Sequence, residues 1–201
     1  MSLLLQPISI VNSTQKTFLL YYVEGCSPWA PVEIGALSLN NEKEVTMPAT
    51  KVKEYLDSQK VEYTILEHSP VYTAQEAAAS AHIPGRQLAK TVMMKLDGEI
   101  AMVVLPAAFR VNFDQLKKAL GVNQVELATE KEFKDLFPDC EVGATPPFGH
   151  LYGMEVIADE SLSEQVLIAF CAGSHTELVQ LSYADFEKLA KPKVIAFALK
   201  P

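Results

Sequence analysis

Three short polar segments hold the side chains best suited to chemistry. Gly143-Ala144-Thr145-Pro146-Pro147-Phe148-Gly149-His150 joins two glycines, two prolines and a histidine, a composition that makes a stiff loop with accessible backbone, suited to holding a ligand. Further on, the apolar run Val166-Leu167-Ile168-Ala169-Phe170 ends in Cys171-Ala172-Gly173-Ser174-His175, a polar turn at the mouth of a buried strand, so the two turns could face one pocket. The third element is Lys90. In Leu88-Ala89-Lys90-Thr91-Val92-Met93-Met94-Lys95-Leu96 the period of a strand puts Lys90 on the face of Val92, Met94 and Leu96. An ammonium there needs an anionic partner or a mouth to solvent.

Gly173 can bring its N–H close to a ligand with no side chain in the way, and such an amide could stabilise the oxyanion formed when water attacks an ester. His175 could position that water or hydrogen-bond a sugar hydroxyl. Each element also has a plainer reading. Gly173-Ser174-His175 serves equally as a turn between antiparallel strands, the 143–150 segment as a Pro-rich connection whose Phe148 plugs the core, and Lys90 as a strand-end lysine reaching for water. Cys171, four residues before His175, could be a nucleophile with a histidine base. A cysteine that ends a strand of Val, Leu, Ile, Ala and Phe is more often a small core residue, which makes this the weaker reading. The chain has no G-x-S-x-G elbow, Walker loop, G-x-G-x-x-G or H-E-x-x-H, and its four histidines, 68, 82, 150 and 175, lack helical metal-ligand spacing. No metal and no cofactor is expected.

With 201 residues, 49% of them hydrophobic and 21% charged, the chain suits one globular domain with a full core. The formal charge is −8. Extensive duplex binding, and with it a role on DNA, is disfavoured, whereas local contact with a nucleic-acid end remains open through Lys51, Lys53, Arg86, Lys90, Lys95, Arg110, Lys117 and Lys118. Cys26, Cys140 and Cys171 are odd in number and lack a C-x-x-C, which speaks against a disulfide framework or a zinc site and fits a reducing cytoplasm. No apolar segment is long enough to span a bilayer, and the N-terminus lacks a secretory signal pattern.

The elements that must position these groups follow from local punctuation. Residues 1–46 carry apolar patches, Leu3-Leu4-Leu5 and Phe18 to Tyr22, without periodic partners. They are expected to be a poorly ordered extension, with an added pair of strands covering a sheet edge as the rival. Met47-Pro48-Ala49-Thr50 starts the domain proper. Thr73 with Glu76, Thr129 with Glu132 and Ser182 with Asp185 each open a short helix. Asn112 caps another that Gly121 ends, and Thr50 caps a first helix turning Val52, Tyr55 and Leu56 inward. Strands are expected at 62–66, 88–96, 99–105, 124–127, 153–158, 166–170, 177–181 and 194–198, with Asp97-Gly98 as a hairpin turn. Short turns between strands, interleaved with helices, predict an α/β (α+β) domain on a mixed, partly barrel-like sheet flanked by short helices.

Over residues 47–201 the order and setting of Lys90-Thr91, of Gly143-x-x-x-Pro147 within Val142 to Gly149, and of Ala172-Gly173-Ser174-His175 followed by Leu178 and Ser182-Tyr183-Ala184-Asp185-Phe186 resemble the YbaK family. This is also called the prolyl-tRNA-synthetase-associated or editing domain. The resemblance implies hydrolysis of the ester between a wrongly attached amino acid and the 3′ end of a tRNA. Lys90, with Thr91 beside it, would hold the phosphate or ribose of the terminal nucleotide. Gly143, Ala144, Thr145, Pro146, Pro147 and Phe148 would wall the amino-acid pocket together with Ser174, and Gly173 would meet the oxyanion with His175 nearby. No protein nucleophile is needed, because the neighbouring ribose hydroxyl helps to activate water. Only the acceptor end of the mischarged tRNA need be gripped, which an acidic chain can manage with a few cations. Nothing in the chain resembles a fused synthetase, so it would act in trans, with a synthetase or an elongation factor in transient contact and no membrane involved. The alternatives are a non-catalytic tRNA or nucleotide-binding module and a Cys171-dependent hydrolase.

Overall fold

The computed structural model describes residues 7–10, 18–21 and 50–200. The chain divides into two units, 1–43 and 44–201. In the first, β1 (Pro7–Ile10) pairs antiparallel with β2 (Phe18–Tyr21). The expected poor order of residues 1–46 and the domain start at Met47 otherwise lie outside the described residues.

In the second unit, α1 (Thr50–Ser58) leads to β3 (Thr64–Glu67) and α2 (Ala74–Ser80). The long hairpin β4 (Ala89–Leu96) and β5 (Glu99–Pro106) follows. Its two-residue turn has Asp97 and Gly98 at φ +49° and +96°, the left-handed pair that matches the twist of the flanking strands. The Asp97 carboxylate then accepts the N–H groups of Asn123 and Gln124 at 2.8 and 2.7 Å, which clamps the turn to a later loop. The two-residue β6 (Arg110–Val111) precedes α3 (Phe113–Leu120), β7 (Val125–Leu127) and the one-turn α4 (Glu130–Phe133). The order ends with β8 (Val156–Asp159), β9 (Leu167–Cys171), β10 (Glu177–Ser182), α5 (Tyr183–Ala190), β11 (Lys193–Ile195) and β12 (Ala198–Leu199).

The strands form a five-stranded sheet, β11-β8-β5-β4-β7, in which β8 runs parallel to both β5 and β11 while β4 is antiparallel to its neighbours. An antiparallel sheet, β3-β10-β9, lies alongside and is joined to it by a single bridge between Leu88 and Ala169. The mixed α+β architecture expected from the sequence is the one the chain adopts. Among the described residues the strands do not close into a barrel.

The alternation of β5 explains why the larger sheet is buried on both sides. Met102 and Val104 face a core completed by Val52 and Leu56 of α1, Phe170 of β9 and Phe186 of α5. Ala101, Val103 and Leu105 face a second core under Leu116 of α3 and Phe197. Each fully buried large side chain stabilises the fold by about 1.5–3 kcal/mol. In the third core, Ala77 and Ala78 of α2 rest on Leu88, Ala107, Ala169 and Leu178. This sets the start of α2 beside the start of β4.

Thr50, expected to cap the first helix, is instead the first residue of α1, while the other caps follow the sequence. Thr73 and Glu76 form a reciprocal box, Asn112 Oδ1 accepts the Gln115 N–H at 3.1 Å before Gly121 ends α3, and Ser182 Oγ accepts the Asp185 N–H at 3.0 Å. The last strand also departs from expectation. The last strand is not continuous over 194–198, because β11 stays in the larger sheet while β12 pairs with β6, a strand not foreseen. Between them Phe197 is buried and its N–H donates to Asp159.

Candidate active site

A small, partly open cleft forms where the starts of α2 and β4 meet the 143–145 loop and the β9–β10 turn. Val71, Ala74, Ala77, Leu88 and Ala89 give it an apolar side, while His68, Thr73, Lys90, Thr91, Thr145 and His175 bring polar groups, with Cys171 also on its wall. None of the described residues lining it is acidic.

Lys90 is half-buried. Its ammonium donates to two main-chain carbonyls of the turn after β5, Ala107 O at 3.2 Å and Phe109 O at 2.6 Å. A lysine has three N–H donors, so one remains for a ligand. Burial, and secondarily the nearby Arg110 guanidinium, push its pKa down from the ordinary lysine value. Of the two expected alternatives, an anionic partner or a mouth to solvent, the anionic partner is absent among the described residues, whereas Lys53 is paired with Glu177 and Lys95 with Glu126 and Glu132. An ammonium held by neutral carbonyls keeps its full charge for an incoming anion.

The 143–145 loop and the β9–β10 turn are pinned to one another. Glu141 N–H donates to Gly173 O at 2.8 Å, and Gly173 N–H donates to Ala144 O at 2.9 Å. Gly143 and Gly173 sit at φ +88° and +112°, conformations that other residues adopt only with strain. The Glu141 carboxylate accepts the His175 N–H at 2.6 Å, and His175 Nε2 donates to Val142 O at 3.0 Å. That bond leaves Nδ1 of the neutral ring as an acceptor. Tyr72, 80% exposed, tilts over the His175 ring with centroids 5.0 Å apart.

The structure therefore brings Lys90, Thr91, Gly143, Thr145 and His175 into one cleft. It does not bring all the expected residues there. Phe148 is a core residue, edge-on to Phe170 and Phe186 at 5.4 and 5.8 Å. Ala144, Pro146, Pro147 and Ser174 are buried and do not line the cleft. Gly173 is a correction of a different kind. Its N–H is committed to Ala144 O and is not free to meet an oxyanion in this arrangement. The N–H groups of Gly143 and Thr145, residues that do line the cleft, have no partner among the described residues. Cys171 lines the wall without a hydrogen bond to His175, and burial pushes its thiol up to about 11, the wrong direction for a nucleophile at neutral pH.

Several cleft residues escaped the reading of the sequence. His68, Val71, Tyr72 and Ala74 cluster around the Thr73 capping box, whose position marked a helix start but not that it opens on Lys90. Glu141 carried no signal at all.

Comparison with known proteins gives this geometry a context. The model of the aminoacyl-tRNA editing domain matches residues 68–189, a span that includes the whole cleft lining. The chain belongs to the aminoacyl-tRNA editing domain family. This editing domain is 30% identical over 103 residues to the proline–tRNA ligase of Bacillus mycoides (strain KBAB4), and 32% identical over 103 residues to that of Bacillus cytotoxicus. In both cases the match takes 51% of this chain and 18% of the ligase, so the shared segment is a small part of those enzymes. Among solved structures, the fold resembles the hypothetical protein APE2540 with TM-score 0.67 and 23% identity, over 74% of this chain and 99% of that one. It also resembles a proposed trans-editing enzyme for prolyl-tRNA synthetase with TM-score 0.65 and 19% identity, over 76% and 97% of the two chains. No helix among the described residues of the editing domain is long and apolar enough to cross a membrane.

Proposed function

We propose that this editing domain hydrolyses, in trans, the ester of mischarged aminoacyl-tRNA. The observation that carries this reading is Lys90: a half-buried ammonium that, among the described residues, has no carboxylate partner and no acidic neighbour in the cleft lining, within the span of the editing-domain family. Its free donor would hold a phosphate or ribose oxygen of the terminal nucleotide, with Arg110 adding positive potential. Thr91 would stand beside that anchor. The acyl side chain would lie against Val71, Ala74, Ala77 and Leu88.

Water would attack the ester carbonyl with help from the adjacent ribose hydroxyl, while His175 Nδ1 accepts a hydrogen bond from water or ribose. The negative charge that develops on the carbonyl oxygen would be met by the N–H of Thr145 or Gly143, since that of Gly173 is already used. The chemistry derived from these residues needs no thiolate. Incubating the full chain with a panel of mischarged tRNAs and following loss of the ester tests the reading. Accelerated hydrolysis of at least one of them is expected, and tight binding with no turnover on any would leave a tRNA-binding module in its place.

A further inference from the structure

His68 is a polar cleft residue that the proposed reaction leaves without a task. The residue is held at two points: its main-chain N–H donates to Thr176 O at 2.8 Å, and its ring Nδ1 donates to Ser69 O at 2.8 Å. A carbonyl can only accept, so the neutral ring carries its proton on Nδ1 and its lone pair on Nε2. Nε2 is buried and has no hydrogen-bond partner among the described residues, and His68 lines the cleft. The following segment is tied to the opposite wall, where Val71 N–H donates to His175 O at 3.3 Å. Two imidazoles thus face one cleft, each with one nitrogen anchored to a carbonyl and the other free to accept.

An aminoacyl ester brings a group that needs such an acceptor. Whatever its side chain, it carries an α-amino group, and the N–H donors of that group lose water on entering the cleft. Most enclosed sites would receive an amine on a carboxylate, but among the described residues the cleft lining contains none. Resting on the deacylase reading above, we propose that His68 Nε2 accepts a hydrogen bond from the α-amino group of the esterified amino acid and makes the site selective for aminoacyl over simple acyl esters. A site built around a buried acceptor discriminates strongly against a ligand lacking the matching donor, because the acceptor is then left unpaired. Its immobilised ring also orients the acyl group before attack.

The test compares alanyl-, seryl- and cysteinyl-tRNA with their deamino counterparts, the propionyl, 3-hydroxypropionyl and 3-mercaptopropionyl esters, each enzymatic rate being divided by the uncatalysed rate of the same ester. The full chain should favour the amino ester at least tenfold. His68→Phe should lower kcat/KM for the amino ester at least tenfold and leave the deamino ester nearly unchanged, while His68→Gln, which keeps an acceptor, should retain most of the discrimination. Circular dichroism of both variants reports folding, and should His68→Phe not fold, the discrimination by the native chain and by His68→Gln still decides. Equal acceleration of amino and deamino esters by the native chain, or unchanged discrimination in folded His68→Phe, overturns the assignment. Failure to hydrolyse any amino ester overturns the deacylase reading itself.

Discussion

The carboxylate of Glu141 accepts the main-chain N–H of His175 at 2.6 Å across 34 residues of sequence, while the Glu141 N–H reaches Gly173 O on the same turn. This clasp holds the β9–β10 turn against the 143–145 loop, and so fixes where the His175 ring can stand. Glu141 is exposed, so the bond should govern position more than global stability. Glu141→Ala is expected to lower kcat/KM for deacylation about tenfold with a small change in melting temperature, the equivalent of about 1.4 kcal/mol in the transition state. Unchanged turnover in Glu141→Ala would show that the turn holds its geometry without the clasp.

Lys90→Ala should reduce kcat/KM by about a hundredfold or more, in the range of a lost charge-assisted contact, with its far-UV circular dichroism intact. Because the Lys90 pKa lies below the ordinary lysine value, the charged form is lost at lower pH than for an exposed lysine. Binding of a 3′-terminal nucleotide analogue should therefore weaken on an alkaline limb whose midpoint falls below 10.5, and Lys90→Arg should move that limb upward. Full activity in Lys90→Ala below saturation would remove Lys90 from the site.

Cys171→Ala should keep most of the activity. With its thiol pushed to about 11, Cys171 holds only about one part in a thousand of thiolate at pH 8. Alkylation should be slow there and speed up as the pH rises toward 11. A folded but inactive Cys171→Ala, or a trapped acyl-enzyme, would instead establish cysteine chemistry.

Asp159 is the buried polar residue that the fold depends on most visibly. One oxygen accepts the Ser161 N–H at 3.1 Å and the Ser161 hydroxyl, and the other accepts the N–H groups of Phe197 and Ala198 at 2.8 Å each. Asp159→Ala strands three buried or half-buried main-chain donors, each costing about 1–3 kcal/mol. A loss of roughly 3 kcal/mol or more is expected in urea unfolding, a large part of the usual stability of a domain. A midpoint close to that of the native chain would mean that water replaces the carboxylate.

We propose that a chain beginning at Met47 folds and deacylates like the full-length protein, because residues 50–200 supply three hydrophobic cores among the described residues. Thermal melting and turnover of the two chains should coincide. A truncated chain that aggregates, or melts several degrees lower, would make residues 1–46 part of the domain.

The sequence by itself determined what is settled within a few residues. Thr73 and Glu76, Asn112 and Gln115, and Ser182 and Asp185 meet three residues apart, and Asp97-Gly98 turns the chain through its own dihedral angles. Such interactions need no distant partner, so the helix starts, the hairpin and most strands were legible. Lys90, Thr91, Gly143, Thr145 and His175 were legible as a set through their resemblance to a known family. The tertiary structure decided which polar atoms are spent and which are free. Gly173 had every local feature of an oxyanion donor, yet its N–H closes on Ala144. Phe148, in the middle of the expected pocket loop, faces Phe170 and Phe186 in the core. Asp159 divides the last strand by reaching 38 residues along the chain to Phe197. His68 became a site residue only because α2 packs its alanines on Leu88, Ala107, Ala169 and Leu178 and so sets the segment before it over the start of β4. Hydrogen-bond partners that far apart exist only after the chain has closed around its cores, and no local propensity records them.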